Sequence, residues 1–370
     1  MKIGILTSSR ADYGIYLPLL EKLKKNIFFN LEIIAFGTHL SKGHGYTISE
    51  IEKGGYEIIY KIVSLVSDDD EQAISTSYAL TSLKFADFWQ NHKYELVFCL
   101  GDRFEMSAAV QAGIPFGVKF VHLHGGETTL GAIDNVYRHQ ITLASSLHFT
   151  AVDVFKEKVI SLIGTDENVF SVGSLSLDNL NSFAPVDKEV LLETFGIPNN
   201  DFVLVTFHPE TVASTKNLEF AKKSCLALSE ISRTINIVIT MPNADALGSI
   251  YRGEIIKLKN QNIDTIFLVE NFGKNNYFSA MYHSKLLIGN TSSGILEAAS
   301  FGKYVVNVGD RQKGRLQSAN VLNVSFDSPL ICEAFSSLIT KGDYLGENVY
   351  RKNNVADSII YILKEFDENL

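Results

Sequence analysis

Residues 96–112 read LVFCLGDRFEMSAAVQA. Five apolar residues run without a polar break and stop at a glycine, the pattern of a strand buried on both faces. After the turn Gly101-Asp102-Arg103, apolar positions recur at helical spacing over 104–112. The same pairing repeats on both sides. Runs at 2–6, 31–36, 119–122 and 147–150 read as further buried parallel strands, with helical patterns at 15–25, 71–90 and 136–144. A second series follows, with strands at 202–206, 236–240, 265–269, 285–288 and 304–308 and helices at 218–231, 249–259 and 295–301. Alternating strands and helices predict parallel sheets covered on both faces, an α/β fold.

At 370 residues the chain exceeds what one hydrophobic core usually spans, so two domains are expected. The polar stretch 181–201, with Pro185, Pro198, Asn199 and Asn200, reads as the linker. The expected division is an N-terminal domain over 1–182, a C-terminal domain over 183–353 and a terminal helical segment over 354–370. Two doubly wound domains facing one another would leave a cleft at the carboxyl ends of their strands, where such sheets bind ligands.

Charge and composition narrow the partners. The formal net charge of −9 argues against a broad electrostatic hold on nucleic acid or an anionic membrane. No apolar stretch approaches the roughly 20 residues that span a bilayer, and the first residues lack the long apolar region of a secretory signal. Cys99, Cys225 and Cys332 are odd in number, far apart and set in apolar stretches. That usage suits reduced core thiols, so a cytoplasmic location is expected.

Polar and ionisable residues crowd the loops after strands. The first strand is followed by Ser9-Arg10-Ala11-Asp12-Tyr13. Asp102 and Arg103 follow the third, and His122, His124 and Glu127 the fourth, with Asp134, Arg138 and His139 beyond. In the second series His208, then Asn243, then Thr291-Ser292-Ser293-Gly294 with Glu297, then Arg311 and Arg315 occupy the corresponding places. The 289–294 loop enters a helix, so its N–H groups and hydroxyls can hold phosphate oxygens, or can simply cap that helix. Arg311 and Arg315 nearby favour the phosphate reading. Glu297 suits either vicinal hydroxyls such as those of a ribose or the helix dipole. Asp102, Glu127 and Asp134 lie in consecutive loops with Arg103 and Arg138 beside them, which favours an acid/base set over three separate caps or turns. His122 and His124, placed on one strand face, lack an evident third ligand, so no metal is expected and proton transfer suits them better than zinc. His208 suits phosphate binding or proton transfer, and His44, His92 and His283 read as surface or packing residues. Neither a P-loop nor a Gly-x-Gly-x-x-Gly fingerprint occurs, and no cofactor is expected.

With these blocks assembled, the chain resembles the hydrolysing UDP-N-acetylglucosamine 2-epimerases of bacterial sialic acid and legionaminic acid synthesis. The blocks run in the family's order from Ser9-Arg10-Ala11-Asp12-Tyr13 to Gly309-Asp310-Arg311-Gln312-Lys313-Gly314-Arg315, through His124-Gly125-Gly126-Glu127 and Phe207-His208-Pro209-Glu210. The resemblance implies two Rossmann-like domains in the GT-B-like arrangement and a homodimer or larger assembly. It implies hydrolysis and C2 inversion of UDP-N-acetylglucosamine to UDP and N-acetylmannosamine, without metal or cofactor. The closest alternative is the same reaction on UDP-2,4-diacetamido-2,4,6-trideoxyglucose; the non-hydrolysing epimerase and a GT-B glycosyltransferase are further ones. Arg10, Arg103, His208, Asn243, Thr291, Ser292, Glu297 and Arg311 would bind UDP, with Asp12, Arg138, Ser293, Gly294 and Arg315 in the wider UDP-sugar set. Asp102 and Asp134 would act at the sugar. Many relatives carry an acid where this chain has His124, so the C2 base is open among Glu127, His124 and the aspartates.

Overall fold

The computed structural model describes residues 1–42, 45–66, 68, 70–242 and 247–367. His44 and Asn243 lie outside the described residues. By internal contacts the chain forms two units: residues 1–127, 134–181 and 350–370 make the first, and 128–133 with 182–349 make the second.

Unit 1 is built on seven strands: β1 (Lys2–Thr7), β2 (Asn30–Phe36), β3 (Ile58–Ile62), β4 (Leu96–Leu100), β5 (Phe120–Leu123), β6 (Ser145–Thr150) and β7 (Val169–Ser171). They pair in parallel in the order β3-β2-β1-β4-β5-β6-β7. The helices α1 (Arg10–Lys25), α2 (Ile48–Lys53), α3 (Glu71–Asn91), α4 (Phe104–Gly113), α5 (Asp134–Leu143) and α6 (Asp153–Ile163) connect them. Every residue of β4 is buried, as an uninterrupted apolar run in a parallel sheet requires, and so is every residue of β5, His122 included. Two cores result. One is centred on Ile3, Ile5, Phe98, Tyr16 and Leu19, the other on Trp89, Phe85, Phe36 and Phe120. The strand order reverses between β1 and β4, so their carboxyl ends flank the position where such sheets bind ligands.

Unit 2 repeats the plan. After α7 (Lys188–Thr194), which lies within the stretch expected as linker, come β8 (Phe202–Thr206), α8 (Asn217–Ile231), β9 (Asn236–Thr240), α9 (Gly248–Gln261), β10 (Ile266–Val269), α10 (Lys274–His283), β11 (Leu287–Gly289), α11 (Ser292–Leu296), β12 (Val305–Val308), β13 (Val321–Val324) and α12 (Ser328–Ile339). Its parallel sheet runs β10-β9-β8-β11-β12-β13 and reverses between β8 and β11. The α/β fold of two parallel sheets expected from the alternation is therefore present. The last helix, α13 (Val355–Asp367), packs with unit 1, burying Ile359 and Leu363 completely in its core. Its first N–H groups are satisfied from outside the helix: Val355 and Ala356 donate to the Asp178 carboxylate at 2.5 and 3.1 Å.

Candidate active site

The loop after β1 is shorter than its sequence suggests, because α1 begins at Arg10, five residues before the expected start. Ser9 caps it: Ser9 Oγ accepts from Asp12 N, and the Asp12 carboxylate accepts in return from the Ser9 backbone. Asp12 is 3% exposed, and its oxygens also accept from Ser8 N (2.9 Å), Ser8 Oγ (2.6 Å) and Ser9 Oγ (2.9 Å). Asp12, expected in the wider UDP-sugar set, shapes the loop that starts the helix carrying Arg10.

Between the ends of β4 and β5, four side chains form one connected group. Arg138, on α5, is 1% exposed although it is an arginine. Its Nη2 pairs with Asp102, its Nη1 donates to the His124 carbonyl at 2.8 Å, and Nη1 lies 3.8 Å from Glu127 Oε2. Glu127, also 1% exposed, accepts on Oε1 from His124 Nδ1 at 2.7 Å. A buried guanidinium needs carboxylate partners to offset its lost hydration, and here it has two. Arg138, expected in the wider UDP-sugar set, turns its charge inward, where it holds Asp102 and Glu127.

His122 and His124 do not share a strand face as expected. β5 ends at Leu123, and His124 turns to φ 64°, in the left-handed region that residues with a Cβ rarely enter. His122 is fully buried. Its Nε2–H donates to the Gly101 carbonyl at 2.9 Å, and Nδ1 accepts from the Thr142 hydroxyl at 3.1 Å. It thereby fixes the glycine on which Asp102 turns. Burial lowers the His122 pKa to about 3, keeping the ring neutral. His39, between the Thr7 and Thr47 hydroxyls at 2.9 Å each, is lowered to about 4, as is His148, both by burial.

These rings set a pH dependence. An unfolded histidine takes up a proton below about pH 6.5. The folded chain refuses it until far lower pH, so stability is complete above that value and falls as pH drops towards 4. The slope approaches about 1.4 kcal/mol per pH unit for each ring. Urea unfolding between pH 7 and 5 is expected to show this loss, with a shallower slope in His122→Gln; a flat profile would count against the assignment.

Arg103 is the N-cap residue of α4 and forks onto Glu105, with Nε and Nη2 at 3.2 and 3.0 Å from its two oxygens. Glu105 is fully buried, and burial raises its pKa despite the arginine. Asp134 is the first residue of α5, partly exposed.

In unit 2 the loops after β8, β11 and β12 are wired together. His208 N donates to Asn290 Oδ1 (2.7 Å) while Asn290 Nδ2 donates to His208 O (2.8 Å). Gln312 Nε2 donates to Asn290 O at 2.8 Å, and Arg311 Nη1 to Pro209 O at 2.6 Å. Glu210, 4% exposed, accepts from Asp310 N (2.5 Å) and Arg311 N (3.1 Å); burial raises its pKa against those two donors. Thr291 caps α11, accepting from Ser293 N, and Ser292 and Gly294 follow in its first turn with Glu297 at its end. The same unit takes in residues 128–133: Leu130 N donates to Lys313 O (2.9 Å) and Ile133 N to Thr211 Oγ1 (2.8 Å).

A family model described as UDP-N-acetylglucosamine 2-epimerase matches residues 21–364. The chain belongs to that family. The hydrolysing GDP/UDP-N,N'-diacetylbacillosamine 2-epimerase of Campylobacter jejuni is 34% identical over 343 residues, covering 92% of this chain and 88% of that one. The hydrolysing UDP-N,N'-diacetylbacillosamine 2-epimerase of Legionella pneumophila is 29% identical over 98% of this chain and 95% of its own length. Among solved structures, the UDP-GlcNAc 2-epimerase of Neisseria meningitidis bound to UDP-GlcNAc is similar with a TM-score of 0.83 at 18% identity. That match covers 99% of this chain and 100% of that one, and it supports the fold.

Within this UDP-N-acetylglucosamine 2-epimerase family member, three structural groups are not evident from sequence. Glu105 sits two residues after Arg103, a spacing that could have suggested the fork. Glu210 stands in a quoted block but gives no sign that it would brace the next loop. His39, after β2, is separated from Thr7 by 32 positions, and no local pattern joins them.

Proposed function

We propose that this chain is a hydrolysing 2-epimerase of a UDP-linked 2-acetamido sugar, releasing UDP and the free C2-inverted sugar. The observation that carries the reading is the connected set Asp102–Arg138–Glu127–His124 at the ends of β4 and β5, two carboxylates and an imidazole around one buried cation. Inversion at C2 requires proton transfer on both faces of the ring, and such a set, with Asp134 at the head of α5, suits that task.

The hydrogen at C2 is not adjacent to a carbonyl and resists direct removal. As UDP begins to leave, C1 gains oxocarbenium character and the C2 proton becomes acidic. Arg10, Arg103, Arg311, Arg315 and His208, with the hydroxyls and N–H groups of 291–294, stabilise the departing diphosphate. Glu297 accepts from the ribose. Loss of the proton gives the 2-acetamidoglucal; water then adds at C1 and an acid, Asp102 or Asp134, returns a proton to the other face of C2.

For the substrate, the Campylobacter and Legionella relatives favour UDP-N,N'-diacetylbacillosamine, which is UDP-2,4-diacetamido-2,4,6-trideoxyglucose. UDP-N-acetylglucosamine is the second reading, favoured by the UDP-N-acetylglucosamine 2-epimerase of Neisseria meningitidis, 24% identical over 96% of this chain and 92% of its own length. Parallel kcat/KM measurements of UDP release decide between them. Turnover of the diacetamido sugar is expected to be the faster, and release of UDP from neither would overturn the proposal.

The UDP loop supplies a prediction of its own. Gly309 has φ +81°, and a Cβ there would stand 2.2 Å from Phe326 Cε2 and 2.5 Å from Glu210 Oε1. Gly309→Ala therefore carries backbone strain of about 1–3 kcal/mol and displaces Arg311. Isothermal titration is expected to show UDP affinity reduced by about tenfold or more, equivalent to 1.4 kcal/mol. Unchanged affinity would remove this loop from the binding role.

A further inference from the structure

We propose that His124, oriented by Glu127, is the base that takes the C2 proton; this rests on the hydrolysing 2-epimerase reading. Glu127 itself is poorly placed for the task. It is 1% exposed, with one oxygen on His124 Nδ1 and the other facing Arg138. The imidazole is the outer member of that pair, with a side chain 8% exposed against 1% for the carboxylate. Because Glu127 accepts from Nδ1, the proton of the neutral ring sits there and Nε2 presents its lone pair. Among the described residues Nε2 has no hydrogen-bond partner, whereas the backbone of His124 is fixed at both ends: its N–H donates to Phe149 O at 3.0 Å and its carbonyl accepts from Arg138.

The backbone supplies the second observation. His124 holds φ 64° immediately before Gly125, which has no Cβ and would take a left-handed turn at lower cost, while Gly126 beyond it is itself at φ 79°. Strain on a residue with a Cβ persists where its surroundings over-determine it, and such residues cluster at functional sites. Here the strain turns the ring off the strand to meet Glu127. The arrangement is a base held in one tautomer by a buried carboxylate, whose charge then balances the imidazolium that forms.

The step balances as follows. The C2–H bond breaks and the proton moves to Nε2. The electron pair left behind forms the C1–C2 double bond while the C1–O bond breaks and UDP departs with its electrons. In the hydration half, the oxygen of water bonds to C1 and keeps one hydrogen as the hydroxyl, the other proton of that water passes to solvent, and a protonated aspartate delivers its proton to C2. The imidazolium returns its proton to solvent and the aspartate is reprotonated, restoring the starting state.

Charged and titratable groups facing His124 are Glu127 in its own loop, Arg138 from α5 with Asp102 behind it, and neutral His122 on β5. Of these, Glu127 is the carboxylate in direct contact with the ring, at 2.7 Å from Nδ1. In Glu127→Gln the imidazolium loses its counter-charge, so the acid limb of the kcat profile is expected to move to lower pH. His124→Gln is expected to lose about 10²–10⁴-fold in kcat, the usual value of a positioned base, with UDP affinity retained. His124→Ala is expected to regain turnover with added imidazole, which restoration of packing would not provide.

The experiment is UDP release by the full chain, wild type and these three variants, across pH, with UDP titration to verify folding. Wild-type turnover together with an undiminished His124→Gln rate, an unmoved acid limb in Glu127→Gln or no imidazole rescue overturns the assignment while the epimerase reading stands. A wild-type chain that releases UDP from neither sugar removes both.

Discussion

Asp102→Asn and Asp134→Asn are each expected to bind UDP as the wild type does and to lose turnover by about 10²–10⁴-fold, the contribution of a positioned acid or base. The reason lies in where the two carboxylates sit. Asp102 follows the carboxyl end of β4, on a turn whose glycine carbonyl is held by His122, and it pairs with a buried Arg138. An amide in its place keeps one acceptor for the guanidinium, so the group can remain assembled, but it has no proton of useful acidity to deliver. Asp134 opens α5 four residues before Arg138, on the helix that carries the guanidinium inward. Most of the residues proposed to hold UDP, His208, Thr291, Ser292, Glu297, Arg311 and Arg315, belong to unit 2, which contains neither aspartate. Titration with UDP and steady-state turnover, measured on the same preparations, separate the roles: weakened UDP binding with full turnover at saturation would contradict them.

Removing Arg138 is expected to have the largest effect on stability. In Arg138→Met two carboxylates lose the cation between them, and Glu127 remains buried without it. Breaking a buried pair from one side typically costs about 3–5 kcal/mol, because the charge left behind stays out of water. Urea unfolding is expected to register a loss of that order, with turnover abolished. Arg138→Lys keeps a positive charge but cannot fork between Asp102 and the His124 carbonyl, since an ammonium lacks the planar pair of donors. A smaller loss of stability and a large loss of turnover are expected from it. A chain of wild-type stability and activity after Arg138→Met would show that the guanidinium organises nothing.

Much of the fold is legible in the sequence because parallel strands buried on both faces are written as unbroken apolar runs. The strands Leu96–Leu100, Phe202–Thr206 and Asn236–Thr240 have the bounds that their runs predict. Three strands at the sheet margins escape that rule. Ile58–Ile62 and Val321–Val324 are the outer partners of β2 and β12, and Val169–Ser171 has only three residues, so none offers a long continuous apolar signal. Helix α10, opening on Lys274, Asn275 and Asn276, has little helix propensity at its start and takes its order from tertiary packing.

At the site, residue type and loop position are legible while burial and direction are not. The turn carrying Asp102 and the His124–Glu127 loop fall where the alternation puts strand ends. An arginine one turn into a helix, however, reads the same whether it faces solvent or a pair of carboxylates, and Arg138 proves to face inward. Likewise, Gly125-Gly126 suggests that glycine takes the left-handed turn; Gly126 does so at φ 79°, but His124 does so as well.

The most direct test is proton NMR of the chain with UDP-N,N'-diacetylbacillosamine, and with UDP-N-acetylglucosamine in parallel, in deuterated water. Expected is free 2-epimerised sugar carrying deuterium at C2, together with UDP, from at least one of the two. An equilibrating pair of labelled UDP-sugars, or free sugar that keeps its original hydrogen at C2, would contradict elimination followed by hydration.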